Sequence, residues 1–178
     1  ARFNSAPPSQ PSRTISISVS SPIDEASLVA AVNAFGTPRN MAACGKGAYT
    51  VTYFDLRSSV AAVQRLRGIS LGGARVHARF ADDVAWKHGV LAVHNVAATV
   101  HNVELLSLFR NCGDVMDLRG AGSLRVVSFY DVRHAYAALA LSGTELHGSV
   151  IQIITAALAA SGGGLPPSPH PSPTQNSQ

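Results

Sequence analysis

The chain has 178 residues, of which 46% are hydrophobic and 13% charged, and its formal net charge is +4. That length fits one medium domain or two small ones, and the hydrophobic fraction is enough to fill their cores. The sequence contains no run of 18 apolar residues and no secretory h-region, which argues against a membrane span and against secretion. Its two cysteines lie far apart, which favours an intracellular protein, nuclear or cytoplasmic.

The first half of the chain predicts alternating strands and helices. In chain order the predicted elements are a strand at 14–19, a helix with Leu28, Val29, Val32 and Phe35 on one face, strands near 38–43 and 48–54, a helix at 57–67 and a strand at 75–80. Asp55 stands where it would cap the second helix, and Tyr53 is expected to point into the core.

The second half predicts the same series of elements. They are a strand at 90–96, a helix with Val103, Leu106 and Phe109 on one face, strands at 114–119 and 124–130, a helix at 132–141 and a strand at 149–154. Asp131 stands where it would cap the last helix.

Two phrases, TYFDLR at 52–57 and SFYDVR at 128–133, belong to an internal repeat. Asp131 follows Asp55 by 76 positions, and Arg133 follows Arg57 by the same interval. A constant offset predicts two copies of one β-α-β-β-α-β unit, an α+β ferredoxin-like fold in tandem. The predicted organisation is a disordered tail at 1–12, a first domain at 13–80, a linker at 81–87, a second domain at 88–156 and a Gly/Ser/Pro-rich tail at 157–178.

The ends of the two units, LRGISLGGARVHARF and LSGTELHGSVIQIIT, resemble the closing segment of RNA-recognition motifs (RRMs). More narrowly, SRT before the first strand, YFDLRS and FYDVRHAYAAL resemble the first two RRMs of plant Mei-two-like proteins, including the terminal-ear-like branch. The resemblance covers about residues 12–155 and implies a non-catalytic protein that binds single-stranded RNA. Members of that family carry a further RRM near the C-terminus, so the chain is expected to be a fragment or a truncated relative.

An RRM stacks RNA bases on aromatic side chains of its two central strands, and each base contributes about 1–3 kcal/mol. The octamers that should carry these rings are KGAYTVTY at 46–53 and GSLRVVSF at 122–129. Six stacking positions lack an aromatic ring: Ser16, Ala48, Thr50, Ala92, Leu124 and Val126. Both RRMs are therefore predicted to be degenerate.

The positive charge is concentrated in the first domain. Residues 13–80 hold eight Lys/Arg and three acids, whereas residues 88–155 hold four Arg and five acids. The sequence therefore predicts an electrostatic RNA contact on the first sheet, where phosphates carry the affinity. The candidate residues are Ser16, Arg39, Lys46, Thr50, Arg75, His77 and Arg79. The alternative is an ordinary solvated sheet face.

The second sheet is expected to be apolar on the face away from its helices. A covered face of this kind predicts contact with another protein, with the first RRM, with the linker carrying Trp86, or with the AALAA segment at 156–160. The candidate residues are Ala92, Leu124, Val126, Val150 and Ile154. The alternative is a one-residue error in register, which would exchange the two faces.

Other chemistry finds little support in the sequence. The seven histidines are scattered without metal-ligand spacing, and neither a nucleophile elbow nor a phosphate-binding loop is present. No enzyme activity, metal or cofactor is therefore predicted. Arg57 and Arg133 either bind phosphate or pair with the acid that caps their helix, and local pairing is favoured.

Overall fold

The computed structural model describes residues 10–81 and 88–156. The first part holds strands β1 (Thr14–Val19), β2 (Pro38–Gly45), β3 (Ala48–Tyr53), β4 (Ser70–Leu71) and β5 (Ala74–Phe80), with helices α1 (Glu25–Asn33) and α2 (Leu56–Leu66). The second part holds β6 (Val90–His94), β7 (Val115–Arg119), β8 (Arg125–Phe129), β9 (Glu145–Leu146), β10 (Ser149–Val150) and β11 (Gln152–Thr155), with α3 (Asn102–Arg110), α4 (Val132–Ala138) and a 3-10 turn (Leu139–Leu141).

Each part forms its own antiparallel sheet. The strand order is β2-β3-β1-β5-β4 in the first unit and β11-β6-β8-β7 in the second, where β9 and β10 form a separate ribbon. Two helices are inserted at the same places in each unit, after the first strand and after the third. The predicted α+β class, two ferredoxin-like β-α-β-β-α-β units in tandem, is confirmed.

Strand alternation explains the core of the first unit. The buried side chains include Ile15 and Ile17 on β1 and Val76 on β5. The residues that alternate with them along each strand lie on the other face of the sheet. Helix α1 covers these side chains with Leu28 and Val32, and α2 with Ala62 and Leu66.

Tyr53 lies in this core, as predicted. It is fully buried, and its hydroxyl donates a hydrogen bond of 2.9 Å to the Val32 carbonyl oxygen. Burial raises its pKa to about 12, so the phenol stays neutral.

The second core is built in the same way. Leu91 and Val93 on β6 and Phe129 on β8 are buried against α3. The rings of Phe109 and Phe129 meet edge to face with centroids 6.3 Å apart.

Some predicted boundaries are wrong, because a turn or an irregular end replaces a strand or helix. Leu124 precedes β8 instead of opening it, and Val150 pairs with Glu145 in the ribbon rather than joining the sheet. The last helix becomes a 3-10 turn after Ala138. Ser12, which the sequence assigns to the tail, is buried. The predictions for residues 1–9, for the connector 82–87 with Trp86 and for residues 157–178 concern parts of the chain outside the described residues.

The two units meet where β3 enters α2 and β8 enters α4. Asp55 and Asp131 form an antiparallel bridge between the units. The Leu56 N–H donates to the Tyr130 carbonyl at 2.9 Å, and the Val132 N–H donates to the Phe54 carbonyl at 3.0 Å. None of the helices in the described ranges is long and apolar enough to cross a membrane.

Candidate nucleic-acid interface

The open face of the first sheet is the face turned away from α1 and α2. Ser16 on β1 lies between Thr50 on β3 and Arg79 on β5. One row along the strands, Ser18 lies between Ala48 and His77. The predicted face is therefore the observed one, and its central positions carry small polar side chains.

Strand β5 supplies the charge on this face. Arg75, His77 and Arg79 are exposed, whereas Val76 and Ala78 between them are buried. Alternate residues on a strand lie about 6.7 Å apart on one face, so these three side chains form a row. Beyond Val76 the strand is an outer edge of the sheet, because β4 pairs with Ala74 and Arg75 and the segment before β4 bonds the backbone of Val76.

Lys46 lies near one end of this row, in the tight turn between β2 and β3. The Gly47 carbonyl in that turn accepts a 2.8 Å hydrogen bond from the Val19 N–H at the end of β1. The adjacent Ser20 binds Arg75 twice, accepting from its N–H through Oγ at 2.8 Å and donating to its carbonyl at 3.0 Å. The turn and the start of β5 therefore flank the same end of β1.

Arg39 does not belong to this group, in contrast to the sequence expectation. It is exposed at a bulge in β2, on the opposite edge of the sheet. Three strand spacings, about 14 Å, separate that edge from β5.

The stacking positions of the first sheet lie side by side and carry no ring. Ser16 and Thr50 are cross-strand neighbours, and Ala48 follows in the next row. The nearby ring of Tyr49 packs against the core on the opposite face. Within residues 10–81 the open face has no Phe, Tyr or Trp on β1, β3 or β5.

The open face of the second sheet is apolar at its centre. Ala92 lies between Val126 and Ile154. Ala92 is only 9% exposed, and Val126 and Ile154 are half-buried. Leu124, just before β8, and Val150, in the separate ribbon, do not belong to the strands of this sheet, and they are 43% and 47% exposed.

An acidic side chain, which the sequence reasoning missed, also lies on this second face. Asp117 on β7 is the cross-strand neighbour of Ser128, and Arg119 is the neighbour of Val126. The two charges pair at 3.6 Å. Leu118 packs against the core, so its neighbour Asp117 lies on the open face. Val115 also packs against the core, because a bulge between Val115 and Asp117 breaks the alternation that could otherwise be read from the sequence.

Arg57 and Arg133 pair with the aspartates that cap their own helices, as favoured from the sequence. The distances from the guanidinium nitrogen to the carboxylate oxygen are 2.7 Å for Arg57 with Asp55 and 2.6 Å for Arg133 with Asp131. The hydrogen bonds that the Arg57 guanidinium donates to the Asp55 carboxylate raise the pKa of Arg57. Burial would raise the pKa of Asp131, but hydrogen bonds from the Arg133 side chain and backbone outweigh burial and lower it.

Metal chemistry has no visible site here. Across residues 10–81 and 88–156, no group of three or more His, Cys, Asp or Glu side chains is placed to hold an ion.

Sequence comparison finds plant relatives that match most of the chain. "Protein MEI2-like 3" of Arabidopsis thaliana is 33% identical over 156 residues, which is 80% of this chain and 21% of that protein. "Protein MEI2-like 4" of Oryza sativa subsp. japonica is 29% identical over 85% of this chain and 16% of that protein. The chain is homologous to the plant MEI2-like proteins.

The resemblance to MEI2-like proteins is thereby confirmed, while the narrower likeness to the terminal-ear-like branch stays a prediction. The chain spans about a fifth of the length of the MEI2-like relatives it matches. No protein-family model matches it.

Two solved structures resemble the chain with low TM-scores. A structure titled "Sxl-lethal protein/RNA complex" is 17% identical over 82% of this chain and 99% of that chain, with a TM-score of 0.38. The three N-terminal RNA-binding domains of the yeast splicing factor Prp24 are 13% identical over 83% of this chain and 68% of that chain, with a TM-score of 0.39. The fold assignment therefore rests on the strand order and helix positions given above.

Proposed function

We propose that this chain is a non-catalytic RNA-binding protein with two degenerate RRMs. Single-stranded RNA is held mainly through its phosphates, on the open face of the first RRM. The row formed by Arg75, His77 and Arg79 carries the proposal, because these three exposed side chains are potential donors on one face of one strand. In residues 10–81, the residues of β1, β3 and β5 on that face include no carboxylate to repel a phosphate.

The small side chains support backbone contact rather than base stacking. Ser16, Ser18 and Thr50 offer hydroxyls, and the rings that would stack on bases are missing from their positions. Phosphate contacts position a strand and carry no sequence information. Binding is therefore expected to be salt-sensitive and weakly selective for sequence.

The first prediction concerns the arginine pair Arg75→Ala with Arg79→Ala. Affinity for single-stranded RNA should fall for every sequence tested, and the slope of log K against log salt should fall by about two, one for each lost phosphate contact. Fluorescence anisotropy at several salt concentrations measures both quantities.

The matched control is Arg65→Ala with Arg67→Ala, which removes the same charge from exposed positions in and just after α2. This pair should keep the wild-type slope. RNA binding that is undetectable at low salt, or unchanged in the Arg75/Arg79 variant, would refute the proposal.

A second candidate function is a protein-interaction scaffold that uses the second sheet. The apolar row Ile154, Ala92 and Val126 supports it, together with the exposed Leu124 and Val150. Asp117 and Arg119 on this face pair with each other, so together they add no net positive charge that would attract a phosphate.

Its test is Leu124→Asp with Val150→Asp in the full chain. A partner retained by the wild-type chain should be lost by this variant and kept by Val103→Asp, which adds a charge at an exposed α3 position away from the face. A wild-type chain that stays monomeric and retains no partner would count against the scaffold.

A further inference from the structure

The duplicated phrase brings the two RRMs together. Phe54 and Leu56 correspond to Tyr130 and Val132 in the 76-residue repeat. We call the contact between these two phrases the joint. Its two backbone hydrogen bonds run from Leu56 to Tyr130 and from Val132 to Phe54, and they exchange places when one repeat is mapped on the other. The joint has the reciprocity of a two-fold interface within one chain.

Side chains of the phrases follow the same reciprocity. The Arg57 guanidinium lies 4.6 Å from the centroid of the Tyr130 ring, and the Arg133 guanidinium lies 4.7 Å from that of Phe54. Both distances are within the range of cation–π attraction. Each capping aspartate thus orients an arginine that contacts the ring of the other repeat.

Arg13 breaks the symmetry at the centre of the joint. Its side chain is buried and donates to the Phe129 carbonyl at 2.7 Å, to the Tyr130 carbonyl at 3.1 Å and to the Phe54 carbonyl at 3.3 Å. It therefore joins the ends of β3 and β8 by charge-assisted hydrogen bonds.

Gly89 makes room for this arginine. It stands 76 positions after Arg13, at the equivalent place in the second repeat. A Cβ at Gly89 would lie 2.2 Å from an Arg13 guanidinium nitrogen and 2.9 Å from the Phe129 carbonyl oxygen. Two large side chains cannot occupy equivalent places beside a two-fold axis, so one copy carries the arginine and the other the space for it.

Several charged side chains meet at the joint. The arginines that contact the other unit are Arg13, Arg57 and Arg133, and the nearby aspartates are Asp55, Asp114 and Asp131. Arg57 also crosses the joint to Asp114 at 2.9 Å. Burial lowers the pKa of Arg13, while the charges of Asp55 and Asp131 raise it. Arg13, Arg57 and Arg133 are thus each engaged by carbonyl or carboxylate oxygens at the joint.

We propose that the two phrases, with Arg13 and Gly89, form a clasp that holds the two RRMs as one rigid body before any RNA is bound. The partner of each phrase is the other copy of the same phrase. Arg13 and Gly89 act as positioning residues in the clasp, as plug and socket. The inference does not depend on RNA binding.

The test measures the rotational correlation time of the full chain without RNA, by ¹⁵N relaxation of its backbone amides. The wild-type chain should give one rotational correlation time shared by amides of both sheets. Arg13→Ala, Gly89→Ala and the pair Arg57→Ala with Arg133→Ala should lose this common value, and each RRM should tumble with its own, shorter one. Spectra that keep the dispersed signals of both cores show that each domain remains folded.

The matched control is Arg75→Ala with Arg79→Ala, which should keep the common correlation time whether or not it binds RNA. Two different and shorter correlation times in the wild-type chain would overturn the clasp, even if every variant failed to fold. Unchanged tumbling in both Arg13→Ala and Gly89→Ala would overturn the plug and socket.

Discussion

Thr50 and Ser16 are cross-strand neighbours at two of the positions where an RRM stacks bases. Their side chains are small and half-exposed, so the sheet has space above them. A ring would stack on RNA there because every base offers a π face. The loss of affinity expected for this domain therefore rests on a few side chains and leaves the backbone unchanged.

Restoring one ring tests that statement. Thr50→Phe should strengthen binding of single-stranded RNA by about 1–3 kcal/mol, at least about fivefold in Kd. Gln64→Phe, which places the same ring on an exposed position of α2, is the matched control. Equal affinities for both variants would mean that RNA does not reach the open face at Thr50.

At the same scale, the sequence was enough to place Tyr53, Asp55 and Arg57, because local alternation and capping decide their positions. It was not enough for Arg13, which the sequence showed only as one of the eight Lys/Arg of the first domain. Arg13 precedes its strand, and its burial depends on carbonyls 116 and 117 residues away. The 76-residue offset between Arg13 and Gly89 can be read from the sequence. The contact between them becomes apparent only when the two units are seen together.

At the scale of elements, the aspartate caps fix where α2 and α4 begin. The Asp131 carboxylate accepts the Arg133 N–H at 2.8 Å and is nearly inaccessible to solvent. The predicted strand ends failed at Leu124 and Val150, since strand alternation continues into turns that no longer pair with the sheet. Interior positions could be predicted, whereas ends depend on neighbouring turns.

The cap of α4 predicts a pH dependence. Because the pKa of Asp131 is lowered in the folded state, its stabilisation is present above the unfolded pKa of about 4 and is lost as pH falls through the folded value. Asp131→Asn keeps an acceptor for the helix N-terminus but loses the ion pair. It should cost about 1–2 kcal/mol at pH 7, with a smaller loss of stability on acidification.

Urea unfolding between pH 7 and pH 3 measures this effect. Asp24→Asn, in which the capping carboxylate that binds Ser27 is changed in the same way, is the matched control. Parallel stability–pH curves for wild type and Asp131→Asn would contradict the assignment.

At the scale of the whole molecule, the repeat and the element order predicted two units of one fold, because both are written locally in the sequence. The way the units join could not be predicted. Each phrase is already accounted for by the helix cap within its own unit, so nothing in it points to a contact with the other unit. The positive charge of the first half is not all available to a partner once the two units are joined. Arg13 and Arg57 belong to the joint, and the exposed positive charge of the first RRM lies elsewhere, as on β5.

The reciprocal bridge between Asp55 and Asp131 has a consequence for the polarity of a bound strand. RNA has a 5′ and a 3′ end, and a two-fold rotation reverses the direction in which equivalent contacts are met. One continuous strand therefore cannot make the same contacts with both sheets unless it turns back on itself.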